Sequence, residues 1–199
     1  MRILALSPHT DDAEVGAGGS LAHFVEEGHN VTVVAFSTGN PVDGSSTAEM
    51  AASMAVLGIE RWDVHGFRCR YYHDQRVSIL EELERLRGRI EPDLVFCPSL
   101  NDTHQDHVAM THEVLRAFRH TSVLAYELLR NWTTPFEPIH YVRLAERHIE
   151  AKVAAMACYE TQRHRPYFDE RITRGLAAVR GMQIGAEYAE AFEVLRWIE

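Results

Sequence analysis

Short apolar runs and amphipathic segments take turns along the first 127 residues, and that rhythm restricts the fold more than any other feature of this chain. "RILALS" (Arg2–Ser7) is short and mostly apolar, as a strand covered on both faces must be. "GSLAHFVEEGH" follows a run of polar residues and glycines. It puts Leu21, Phe24 and Val25 on one helical face and stops at Gly28. "NVTVVAFS" (Asn30–Ser37) is β-branched and reads as a second strand. A loop over Thr38–Ser46, a helix over Thr47–Gly58 and a short strand in "RWDVHGF" come next. Val77–Ile90 places Ile79, Leu80, Leu83, Leu86 and Ile90 on one face of a helix. Asp93–Ser99 then reads as a strand, His107–Phe118 as a helix and Ser122–Glu127 as a strand. Parallel strands need helical crossovers, so this pitch predicts an α/β, three-layer Rossmann-like fold with a mainly parallel sheet and helices on both faces. After residue 130 the rhythm changes. "HYVRL" reads as a strand, Ala145–Tyr159 and Asp169–Met182 as helices, and "AEAFEVLRWI" as a closing strand. No linker, repeat or low-complexity run divides residues 1–199, so one domain is expected.

The net charge of −9 excludes a nonspecific nucleic-acid binder, which needs a basic surface. The three cysteines, Cys69, Cys97 and Cys158, are odd in number and far apart. That spacing favours neither a disulfide framework nor a thiolate metal site, and a reduced, cytoplasmic setting is expected. No apolar run reaches membrane-spanning length, and the apolar N-terminal stretch is too short for a signal peptide.

Chemistry gathers at two strand ends. His9, Asp11, Asp12 and Glu14 follow the first strand, and "NDTHQDH" (Asn101–His107) follows the Asp93–Ser99 strand. Ligands of open parallel sheets bind at the carboxyl ends of strands, so these loops can meet. His9 and Asp12 are three apart, as are His104 and His107. One carboxylate and two imidazoles make the mixed N/O set of a catalytic zinc site with its fourth position open. Asp11, beside a ligand but pointing elsewhere, can serve as a base. Capping of a helix start explains one aspartate, and Glu14 or Asp106 as well, but it leaves His9 and the second cluster without a reason. A dinucleotide-binding fingerprint is the rival for "GAGGSLA". It needs a glycine where Leu21 stands, and its pyrophosphate would face the aspartates.

The motifs resemble those of the PIG-L/LmbE family of zinc-dependent N-deacetylases. The first stands here as Pro8, His9, Asp11, Asp12 and Glu14 followed by Gly18–Gly19. The second is His104-Gln105-Asp106-His107, and the tail Glu187–Arg196 is similar to the family's C-terminal motif. The resemblance implies His9, Asp12 and His107 as zinc ligands, Asp11 as general base and a protonated His104 beside the oxyanion. Zinc would bring the pKa of a water toward ~7, and Fe2+ or Co2+ suits the same ligands. Glu14 and Asp106 become groups that orient ligands or cap helices. The implied reaction is removal of an acetyl group from an N-acetylated amino sugar or glycoconjugate. Another mononuclear zinc hydrolase, or a carbohydrate- or nucleotide-binding module without catalysis, is the alternative. Three positions depart from the family pattern: Thr10 and Gln105 replace prolines, and Ser46 replaces an arginine that helps hold substrate. Arg70, Asp74 and Arg76 are the expected replacements for that arginine, and His73 is read as a surface residue. The aromatic and basic stretch Tyr159–Phe168 suits either the substrate mouth or a contact in a homo-oligomer.

Overall fold

The computed structural model describes residues 1–39, 45–129, 131 and 136–199. Its strands are β1 (Arg2–His9), β2 (Asn30–Ser37), β3 (Arg61–Val64), β4 (Leu94–Pro98), β5 (Ser122–Tyr126), β6 (His140–Leu144) and β7 (Tyr188–Arg196). Its helices are α1 (Asp12–Glu26), α2 (Ser45–Leu57), α3 (Arg76–Ile90), α4 (Gln105–Ala117), α5 (Glu146–Ala157) and α6 (Glu170–Gln183). The strands form one sheet in the order β3-β2-β1-β4-β5-β7-β6. β1 to β5 pair in parallel, and β7 runs antiparallel to both β5 and β6. The mainly parallel sheet matches the expectation. Its antiparallel edge carries no signature in hydrophobic period, because both strand directions share the same alternation.

Alternation along β1 builds two cores. Ile3 and Ala5 join the layer of α1, α2, α5 and α6, while Leu4 and Leu6 join that of α3 and α4. All four side chains are fully buried. The chain leaves β1 for β2 and β3 on one side and returns to place β4 and β5 on the other. β1 and β4 therefore flank the switch point, where their carboxyl ends open a crevice.

Helix α1 starts at Asp12, well before the expected glycines. Gly16, Gly18 and Gly19 weaken a helix by their propensity, and tertiary contact overrides this. A Cβ on Gly16 would lie 2.2 Å from Cδ2 of Tyr126, and one on Gly19 would lie 2.7 Å from Cδ1 of Leu144. These glycines let α1 lie directly on β5 and β6. Their role is helix–strand packing, as the absence of a full dinucleotide fingerprint suggested. Of the expected Thr38–Ser46 loop, residues 40–44 lie outside the described residues. No helix among the described residues is long and apolar enough to cross a membrane.

Candidate metal centre

The first loop is held tightly where it leaves β1. Tyr72 Oη donates to the carbonyl of Pro8 at 2.5 Å, and the hydroxyl of Tyr159, just past α5, reaches the carbonyl of Thr10. Ser7 Oγ accepts the amide N–H of Ala13. With the backbone so fixed, His9 and Asp12 face each other across the turn, and α4 brings His107 to them from the end of β4. His9 Nδ1 is 3.0 Å from Asp12 Oδ2. His107 Nε2 is 3.3 Å from the same oxygen and 3.4 Å from His9 Nδ1.

With both rings doubly protonated, Asp12 Oδ2 accepts from His9 Nδ1–H and His107 Nε2–H; with neutral rings the same triangle becomes a ligand set. His107 Nδ1 is 2.7 Å from Asp102 Oδ2, and His9 Nε2 is 3.2 Å from Asp106 Oδ2. Carboxylates only accept, so these outer nitrogens carry the protons of the neutral rings. The inner nitrogens then present lone pairs to a carboxylate oxygen that also has only lone pairs to offer. Three acceptors converge within 3.0–3.4 Å. For metal–ligand bonds of 2.0–2.1 Å, adjacent tetrahedral ligands stand about 3.3 Å apart. The donor set fits a divalent cation in type and in spacing.

Electrostatics agree. Burial pulls His107 down, but Asp12 and Asp102 outweigh it and push it up to about 9. Burial likewise opposes the charge on His9, and Asp12 and Asp106 raise it well above the ordinary imidazole value. Burial would raise Asp12, yet His107 and His9 hold it well below the usual carboxylate range. The cluster seeks positive charge, as protons or as a cation.

Among the described residues three other groupings bring metal-ligating atoms together; one, His9, Cys69 and Asp106, would use His9 Nε2, which lies 3.2 Å from Asp106 Oδ2 and 3.4 Å from Cys69 Sγ, and the remaining two fail the tautomer test. His9, His104 and His107 have ligand atoms within 4.8 Å of one another. However, His104 Nδ1 accepts the amide N–H of Asp106 at 3.2 Å, which leaves the ring proton on Nε2. His104 is therefore a donor. Burial and the neighbouring imidazoles of His107 and His9 push it down to about 4. Neutral or protonated, the ring keeps an Nε2–H to donate. Far from the crevice, His23, Glu26 and His148 also cluster. There His148 Nδ1 accepts the amide of Ala145, and Nε2 donates to Glu26 at 2.6 Å. His148 caps α5 and bridges to α1.

Asp11 precedes α1 but makes no side-chain cap. Burial, then the charge of Asp12, pushes its carboxyl up to about 6 against the pull of His9 and Arg165. It lines the same cleft of about 270 Å³ as His9, Asp12, His104 and His107. Arg70, Asn131, Arg165 and Tyr167 line it too. Asp74 and Arg76, expected beside Arg70, are not among the lining residues. Arg76 instead pairs with the buried Glu113 at 2.6 Å. Arg70 holds a left-handed backbone at φ 72°, and its amide donates to Asp106 at 2.6 Å. Such strain persists only where surrounding contacts enforce it. Glu14 does not cap a helix; its Oε1 meets Ser53 Oγ at 2.8 Å and Tyr159 Oη at 2.6 Å. Glu49 binds Thr161 through both oxygens. Sequence reasoning missed Asp102, whose signal was an acid two residues before His104. It also gave no role to Asn131, which offers no local signal.

A family model described as PIG-L, GlcNAc-PI de-N-acetylase, matches residues 4–118. The chain is 29% identical over 163 residues to a protein of Escherichia coli K12 named uncharacterized deacetylase YaiS, covering 77% of this chain and 88% of that one. Among solved structures, the zinc-inhibited form of teicoplanin deacetylase Orf2 superposes with a TM-score of 0.82 at 18% identity, over 100% of both chains. GalB, the 4-carboxy-2-hydroxymuconate hydratase of Pseudomonas putida KT2440, superposes with a TM-score of 0.83 at 20% identity, over 100% of this chain and 99% of that one. At such identities the structural likeness shows the fold alone.

Proposed function

The chain belongs to the PIG-L family of de-N-acetylases, and on that premise we propose that it is a zinc-dependent hydrolase removing acetyl from an N-acetylated amino sugar or glycoconjugate. One observation carries the reading: the inner nitrogens of His9 and His107, lone-pair donors when neutral, and an Asp12 oxygen converge at tetrahedral spacing beside the half-buried carboxylate of Asp11. His9, Asp12 and His107 would hold the ion. When bound, it supplies polarisation of the amide carbonyl and acidification of a water.

The chain's own groups do the rest. Asp11, raised toward neutrality by burial, accepts a proton from the attacking water and returns it to the departing amine. His104 donates its Nε2–H to the carbonyl oxygen as negative charge develops there. A preorganised donor of this kind is worth roughly 3–4 kcal/mol. Asp102 and Asp106 fix the tautomers of His107 and His9. Arg70 and Arg165 stand on the cleft wall with donors for sugar hydroxyls or an anionic group.

A screen of N-acetylated sugars and glycoconjugates for acetate release, with and without chelator, tests this. Chelator-sensitive acetate release supports it. Release that persists after complete metal removal, or ester hydrolysis with amides untouched, refutes it.

A further inference from the structure

The family match ends at residue 118, yet the tail motif Glu187–Arg196 forms β7, and the proposed chemistry gives it no task. β7 carries two buried glutamates, Glu190 and Glu193, that point to opposite sides of the sheet. Glu190 turns to α1, accepting the amides of Gly19 and Ser20 and the ammonium of Lys152. Glu193 turns to the loop that follows β4. Its Oε2 accepts Ser99 Oγ–H at 2.5 Å, and its Oε1 accepts Asn101 Nδ2–H at 3.1 Å and the amide of Glu137 at 3.2 Å.

From Ser99 the hydrogen bonds run on without a break. The carbonyl of Ser99 accepts the amide of Asp102 at 3.3 Å. Asp102 Oδ1 accepts the amide of His104, and Oδ2 accepts His107 Nδ1–H, both at 2.7 Å. Glu193, Ser99, Asp102 and His107 are each less than a tenth exposed, so water does not substitute for any link. All donors to Glu193 are neutral, and no cation pairs with it among the described residues. A buried carboxylate without a counter-ion is costly to keep for stability alone.

Resting on the metal reading above, we infer that Glu193 is a positioning residue for the metal centre: from β7 it fixes the Ser99–Asp102 turn, and through Asp102 the tautomer and aim of His107. Outer partners of metal ligands typically change metal affinity or activity 10–100-fold when altered. Two links beyond that partner, Glu193→Ala should weaken zinc binding by about 10-fold and shift the visible bands of the cobalt-substituted protein. Glu193→Gln should recover most of both. Its oxygen can still accept Ser99 Oγ–H, which keeps the link to the turn while the other oxygen's bonds to Asn101 and Glu137 are lost.

The experiment measures zinc affinity by competition with a chelating indicator, cobalt spectra, kcat, KM and thermal midpoint for the full chain and both variants. If Glu193→Ala does not fold, Glu193→Leu and Ser99→Ala follow; Ser99→Ala also frees the amide of Asn101, so the affinity loss and band shift must appear in both. Wild-type affinity and spectra in these variants, with only a lower melting point, would overturn the inference while leaving the proposed function intact. A wild-type chain that binds no metal at all would instead overturn the metal reading itself.

Discussion

Asp102→Asn tests the centre most sharply, because it removes a charge and changes no volume. The carboxylate serves three donors: the amide of His104, His107 Nδ1–H, and Asn131 Nδ2–H at 3.3 Å. An asparagine has a single acceptor oxygen. The amide of His104 cannot reverse its role, so that oxygen stays with it, and the new NH2 group meets His107 Nδ1. His107 must then move its proton to Nε2, the atom that faces Asp12 and His9. Metal binding now requires restoring the former tautomer and leaving two N–H groups face to face. Loss of such an outer partner is worth about 10–100-fold in affinity, or roughly 1.4–2.8 kcal/mol. The free imidazole also loses the carboxylate that, after Asp12, helps raise it to about 9. Two readouts are expected to move together: zinc affinity measured by chelator competition falls by one to two decades, and the titration of His107 followed by NMR shifts down. An Asp102→Asn protein that binds zinc as tightly as the parent would show that the tautomer is not what Asp102 supplies.

Asp11→Asn should keep zinc and lose about 10²–10⁴-fold in kcat; metal analysis showing an emptied site would mean Asp11 is a ligand. Gly16→Ala should destabilise the fold by about 1–3 kcal/mol in spite of its better helix propensity, because the added Cβ would lie 2.2 Å from the buried Tyr126 ring; a denaturation midpoint at or above the parent's contradicts the packing described for α1. Burial pushes Glu14 up to about 7 from 4.5, so its favourable contribution is complete below about pH 4.5 and is lost as pH rises to 7. That amounts to on the order of 3 kcal/mol. Glu14→Gln mimics the protonated form, so unfolding curves should show the variant gaining on the parent between pH 5 and 8, and parallel profiles would disprove it.

Hydrophobic period and residue spacing made the layered fold and the two chemical loops legible, because both are local. A short apolar stretch such as Ile3–Leu6, followed at once by polar residues, reads as a strand covered on two sides, and His9, Asp12, His104 and His107 declare their chemistry by type. Other features depended on distant groups. The start of α1 was misplaced because Tyr126 and Leu144, far along the chain, decide that Gly16 and Gly19 are helical. The state of His104 came from the amide of Asp106 and from neighbouring imidazoles, not from its motif. Asp74 and Arg76 stood beside Arg70 in sequence, yet α3 carries Arg76 to Glu113.

Sequence alone established which atoms were on offer: imidazoles, carboxylates and the strand ends that bear them. Tertiary structure decided which lone pairs meet and which nitrogens keep their protons. Strand order sets the gap between the β1 and β4 loops, and carboxylates many residues away set the tautomers. Separation and proton position are properties of neighbours in space.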